Sequence, residues 1–179
     1  MVQGAPIIRT KRAVLRPLVE ADVGQSYLNW FSDPEVARFI EAARVPQSAE
    51  SLRCFVRCRA GHPDVSSFRV VSAETNGSWA PTSVIHAQDR LAAMSIMIGA
   101  TDWCGVGLAG GLMPAVVLTL HEFLGVRNVD RGVNRENLRA YRAYERTGFR
   151  DLGETSSGIR ICLDIATLVD AAGGLNAAT

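Results

Sequence analysis

The sequence predicts one α+β domain, and three observations carry that prediction. Helical periods dominate the first third, strand-like alternation takes over in the middle, and the last part runs apolar helix, strand, polar helix, strand. No internal repeat or linker breaks this order, and 179 residues suffice for one sizeable core.

Taken from the start, "PIIRTKRAVLRPL" alternates around Ala13, Leu15 and Pro17 and predicts a first strand. "VEADVGQSYLNWFSDPEVARFI" predicts helix, with Asp22 as N-cap and Val23, Tyr27, Leu28 and Trp30 as an apolar stripe; Ser32-Asp33-Pro34 restarts a second helical turn. "SAESLRCFVRCRAG" predicts an amphipathic helix capped by Ser48 and ended by Gly61. "SSFRVVSAE" and "TSVIHA" predict strands, with Asn76-Gly77 between them as a hairpin signal, and "RLAAMSIMIGA" a third, more buried strand. A glycine-rich loop then leads to the apolar helix "LMPAVVLTLHEFLG". The strand "RNVDRGV", the helix "NRENLRAYRAYERTG" running into Phe149, and the last strand "SGIRICLDI" follow. The core is expected over residues 8–165, with 166–179 as a C-terminal tail whose low-complexity end, "AAGGLNAAT", is expected to fray.

Composition narrows the function classes. A net charge of +1 gives no footprint for nucleic acid or a membrane surface. The four cysteines hold no C-x-x-C pair and the three histidines are scattered, so no metal site is expected. Cys54 and Cys58, one turn apart on their helix, are expected to share a face as small buried hydrophobes. The N-terminal "MVQGAPIIRTKR" lacks a signal-peptide apolar core, and no apolar run reaches transmembrane length. The expectation is a reduced, cytoplasmic, soluble domain.

The most informative stretch is "WCGVGLAGGL", which contains G-x-G-x-x-G at Gly105, Gly107 and Gly110, with Asp130 about 20 residues further on. Closely spaced glycines let the backbone approach an anion, and a following helix turns free N–H groups and a positive dipole end toward it. Phosphate or pyrophosphate is the ligand this predicts. A dinucleotide fold fits poorly: "ATDW" and Cys104 separate the glycines from the preceding apolar run, too little chain follows for further βα units, and a β-meander precedes the loop.

The segment from Trp103 to Phe149 resembles the core of the GNAT superfamily of acyl-CoA-dependent N-acetyltransferases. Its pyrophosphate loop, Q/R-x-x-G-x-G/A, is matched by Cys104, Gly105, Val106, Gly107, Leu108 and Ala109. A second signature, N-x-x-A-x-x-x-Y-x-x-x-G-F, is met at Asn137, Ala140, Tyr144, Gly148 and Phe149. The opening "VLRPLVEADVGQSYLNWFSDPEVARFIE" looks like the branch of ribosomal-protein and amino-sugar acetyltransferases. The resemblance implies a central mixed, mostly antiparallel twisted sheet, splayed in the middle and flanked by helices, with acetyl-CoA as co-substrate.

It also implies roles. The main chain of Ile96, Met97 and Ile98 would receive pantetheine, and residues Cys104 to Gly110 would cradle the pyrophosphate of coenzyme A. Asn137 would contact the pantetheine or phosphate arm, or else support a helix N-terminus. Tyr144 would sit beside the thioester sulfur and donate a proton to the leaving thiolate; the alternative for it is a core aromatic. Relatives often carry a carboxylate where Ala93 stands, and Glu41, His86 and Asp89 are the candidates to replace it as base. His121 is expected to be structural. Cys104 replaces the usual first loop residue, and Pro114 lies inside the following helix.

The function implied is acetyl transfer from acetyl-CoA to a primary amine by direct attack in a ternary complex. A nucleotide-linked amino sugar or another small amine is the expected acceptor, with neither nucleic acid nor membrane as partner. A homodimer remains open from the habits of the branch. The alternative is an acyl-CoA-binding module with little catalysis, kept open by Ala93 and Cys104.

Overall fold

The computed structural model describes residues 6–60, 62–73, 78–86, 90–97, 99 and 108–170. The chain divides into two compact units: one runs to Ile85 and resumes over Ser95–Val106, the other takes His86–Met94 and continues from Gly107.

The first unit is an antiparallel meander with helices. Strand β1 (Ile8–Arg9) pairs with β2 (Ala13–Pro17), so the single strand expected over this stretch is two. Thr10 makes the turn: its hydroxyl donates to the Ala13 carbonyl at 3.1 Å and accepts the Ala13 N–H at 3.0 Å. β2 pairs with β3 (Val65–Ser72), and β3 with β4 (Ser78–His86), all antiparallel. This agrees with the meander expected from the sequence; Asn76, Gly77 and Gly61 lie outside the described residues. Helices α1 (Gln25–Ser32), α2 (Pro34–Ala37) and α3 (Ala49–Ala60) belong here too. Asp33 caps α2 by accepting the Glu35 N–H at 2.9 Å, and the Ser48 hydroxyl accepts the Ser51 N–H at 3.0 Å at the start of α3.

Leu18, Val23, Tyr27, Leu52 and Val56 form this unit's apolar cluster, with Leu28, Trp30, Phe31 and Met97 packed against it. Leu52 and Val56, one turn apart, occupy the inward face of α3, which turns Cys54 and Cys58 outward. The cysteines do share a face, but it is the exposed one, contrary to the burial expected.

Asp22 does not cap α1 either; Gly24 holds that position. Asp22 sits in a 3₁₀ turn (Glu20–Asp22), its side chain only 5% exposed, and serves two arginines from neighbouring strands. Arg16 of β2 binds it with both nitrogens, at 2.8 and 2.6 Å, and Arg69 of β3 donates to the same carboxylate. The Val19 N–H adds a bond at 3.0 Å. Burial alone would push the Asp22 carboxyl up, but the bonds from Arg16, Val19 and Arg69 outweigh it and hold the group below its ordinary range.

The second unit is built on mixed pairing. β5 (Leu91–Ile96) runs parallel to β6 (Asn128–Val133), β6 is antiparallel to β8 (Gly158–Asp164), and β8 to β7 (Arg150–Thr155). β7 has no counterpart in the sequence reading: every one of its residues is exposed, so it shows no apolar alternation. Helix α4 (Leu108–Leu124) buries Leu112, Met113, Val116, Val117 and Leu120. Residues 166–170, the start of the C-terminal tail, are helical, and the stretch expected to fray, 171–179, lies outside the described residues.

Helix α5 (Leu138–Arg146) ends in a Schellman motif, and this end fixes Tyr144. The Phe149 N–H bonds the Tyr144 carbonyl at 3.1 Å, and the Gly148 N–H bonds the Glu145 carbonyl at 2.9 Å. The geometry needs φ of +98° at Gly148, where a side chain is strained. The apolar contact that closes such motifs is Tyr144 against Phe149, edge to face with centroids 5.1 Å apart. The sequence spacing Tyr-x-x-x-Gly-Phe is thus the spacing of a helix end.

Two measurements check this account. Asp22→Asn leaves two arginines facing a neutral amide, and urea unfolding should show a loss of about 3 kcal/mol. Because the folded carboxyl titrates below the unfolded one, its contribution is complete above roughly pH 4 and fades as pH falls further. The wild-type chain should therefore lose stability more steeply than the variant below that pH. Gly148→Ala, forced to positive φ, should cost roughly 1–2 kcal/mol in the same assay.

Candidate functional site

Parallel pairing between β5 and β6 covers three register pairs: Leu91 with Asn128, Ala92 with Val129, and Ala93 with Asp130. Within the second unit, β5 reaches one residue further, to Met94, and β6 runs on to Val133. Where the next rung would fall, the Arg131 side chain takes over: its Nη1 donates to the Met94 carbonyl. A strand carbonyl in the interior needs a partner, and here a guanidinium supplies it in place of a neighbouring backbone.

The same guanidinium lies over the Tyr144 ring, 5.5 Å from its centroid. Tyr144 is the buried residue of α5, a helix otherwise rich in exposed arginine, and is only 4% exposed. Burial pushes its phenol above the ordinary tyrosine range, while the Arg131 cation pulls the other way without cancelling the rise. Met94, Arg131 and Tyr144 thus converge from β5, β6 and α5. The sequence reading found Tyr144 and missed Arg131, whose partner carbonyl lies 37 residues away.

Asn137 caps α5: its side-chain oxygen accepts the Ala140 N–H at 3.1 Å. That is the helix-supporting alternative, and it leaves the amide nitrogen as the donor end of the side chain. His121 is structural as expected, its Nδ1 meeting the Val126 carbonyl at 2.8 Å. Asp130, the register partner of Ala93, accepts from Arg160 Nε at 2.7 Å.

In the first unit, Ile96 ends β5 and Met97 follows with its side chain on the apolar cluster. Gly99 lies flat against Trp30: a Cβ there would meet the indole at 2.1 Å, so only glycine fits. Glu41 opens an exposed 3₁₀ turn (Glu41–Arg44). His86 is the last residue of β4, with its side chain outside the described set. Ile98, Cys104, Gly105, Val106, Gly107 and Asp89 lie outside the described residues. Leu108, Ala109 and Gly110 are a correction to the loop as expected: they are the first turn of α4, which starts four residues earlier than its apolar run. Glycine is poor inside a helix but tolerable in a first turn, whose N–H groups have no intrahelical partner and point toward any anion. Pro114 stands inside the helix, as expected.

Comparison with known proteins places this geometry. A family model described as an acetyltransferase (GNAT) domain matches residues 12–150. No curated protein sequence matches the chain. Among solved structures, the spermidine N-acetyltransferase of Vibrio cholerae, in complex with CoA and spermine, is 20% identical. It has a TM-score of 0.76 and covers 89% of this chain and 99% of its own. A ribosomal L7/L12 alpha-N-protein acetyltransferase in complex with coenzyme A gives a TM-score of 0.78 at 12% identity, over 89% and 98% of the two chains. An aminoglycoside acetyltransferase in complex with coenzyme A gives 0.72 at 15%, over 88% and 98%. At such identities these structures establish the fold, and they agree on it. Among the described residues, no helix is long and apolar enough to cross a membrane. With a family model spanning most of its length, and the fold of those structures, the chain belongs to the GNAT family of acetyl-CoA-dependent N-acetyltransferases.

Proposed function

We propose that the chain transfers the acetyl group of acetyl-CoA to a small primary amine by direct attack in a ternary complex, with Tyr144 as the proton donor. The observation that carries this reading is the parallel ladder that stops at Ala93 and Asp130 beside a buried tyrosine. One residue past that point, the Met94 carbonyl is met by the Arg131 side chain and not by a β6 main-chain group, which supports a strand edge suited to an extended pantetheine arm. The main chain of Ile96, Met97 and Ile98 takes that arm, the segment from Cys104 to Gly110 takes the pyrophosphate, and the Asn137 amide nitrogen donates to the arm or a phosphate.

The step balances with few groups. The amine lone pair forms the C–N bond at the thioester carbonyl. The C–S bond breaks with its electrons going to sulfur, and Tyr144 Oη gives sulfur a proton. The new amide nitrogen loses one proton to solvent, and the phenol is restored from solvent. An amine that arrives neutral needs no base, so Glu41, His86 and Asp89 are accessory at most. The branch resemblance favours an amino sugar, free or nucleotide-linked, as the acceptor. The neighbours named above, one for spermidine, one for a ribosomal protein and one for aminoglycosides, define the competing classes. The exposed thiols of Cys54 and Cys58 suit a reducing, cytoplasmic setting.

Titration calorimetry with acetyl-CoA, followed by CoA-release assays on an amino sugar, spermidine, an aminoglycoside and an N-terminal peptide, tests the reading. Saturable binding and turnover of the amino sugar ahead of the others is the expected result. Tyr144→Phe should lower kcat on the order of 100-fold while leaving the acetyl-CoA Kd within about twofold. Because burial holds the phenol above its ordinary range, the acid should keep its proton to higher pH than a free tyrosine does. With a weakly basic amine acceptor, the alkaline decline of kcat should therefore fall at higher pH than the titration of free tyrosine.

A further inference from the structure

Arg131 stands where an apolar residue would be expected. Along β6 its neighbours on the same face are Val129 and Val133, buried at 0% and 4% exposure. A cation at such a position is normally braced through all its donors. Arg131 is not: among the described residues, its Nε is buried without a hydrogen-bond partner. Among the described residues, it donates to the Met94 carbonyl and lies over the face of the Tyr144 ring.

We infer that Arg131 is a positioning residue for the transfer step, one side chain that holds the Met94 carbonyl at the rung where the β5–β6 ladder stops and lies over the ring of the proton donor. It thereby fixes the opened strand and the phenol relative to each other. The inference rests on the assignment of Tyr144 as the acid. A donor displaced by a fraction of an ångström loses rate far more than it loses substrate binding. The cation also works against the burial that makes the phenol reluctant to release its proton. A neutral replacement removes the positive charge and lets the ring shift.

The test is a double-mutant cycle on the full chain with acetyl-CoA and whichever of the four amines above turns over fastest. Arg131→Met should lower kcat roughly tenfold, with the acetyl-CoA KM within about twofold. In a Tyr144→Phe background the same change should cost less than about twofold, because the residue it acts through is already gone. Should Arg131→Met melt below the assay temperature, Arg131→Gln, which keeps an N–H for Met94 but no charge, carries the same cycle. Equal losses in both backgrounds, or a loss confined to the acetyl-CoA KM, would overturn the positioning role and leave Tyr144 as the acid. A Tyr144→Phe rate equal to wild type, or no turnover of any amine, would remove the acid assignment and this inference with it.

Discussion

A backbone carbonyl inside a protein must be answered by a donor, and the second unit is arranged around one such demand. The parallel ladder stops after Ala93 and Asp130, yet β5 continues, and the Met94 carbonyl needs a partner that is not a strand. Arg131 meets it with a side chain instead of a main chain. The guanidinium's reach to Met94 also brings its charge over Tyr144, so the sheet's interruption and the tyrosine's electrostatic setting share one cause.

The first unit answers a similar demand with charge. Asp22 is nearly buried and would be costly alone, but Arg16 and Arg69 approach it from adjacent strands and Val19 closes the turn beneath it. Glu20, two residues earlier, binds Arg57 of α3 through both carboxylate oxygens, at 2.9 and 2.6 Å, on the solvent side. One short 3₁₀ turn therefore ties two strands and a helix together. It does so next to the cluster of Val23, Tyr27, Leu52 and Val56 on which Met97 rests.

What the sequence made legible was whatever depends on near neighbours. Ser48 and Asp33 read correctly as caps because a cap bonds two or three residues away. The apolar stripe of Val23, Tyr27, Leu28 and Trp30 read correctly because 3.6-residue periodicity is local, and Tyr144 stood out through a motif built on a local helix end. What failed was set at a distance or carried no apolar signal. Asp22 looked like a cap because Arg69, its partner 47 residues on, cannot be seen from its surroundings. Arg131 was missed for the same reason, its partner carbonyl lying 37 residues away. Cys54 and Cys58 were placed on the right helix but the wrong face, since Leu52 and Val56 had the stronger claim to the interior. β7 was missed because both of its faces meet water.

The Schellman end of α5 changes what the tyrosine signature means. Gly148 is needed for its positive φ, Phe149 closes the turn, and Tyr144 is both the carbonyl that accepts the Phe149 N–H and the ring on which Phe149 packs. Three letters of the pattern are therefore requirements of stopping a helix, satisfied before any thioester is bound. A pattern search that matches them detects a way of ending a helix, and a relative that had lost every trace of acyl transfer would still score.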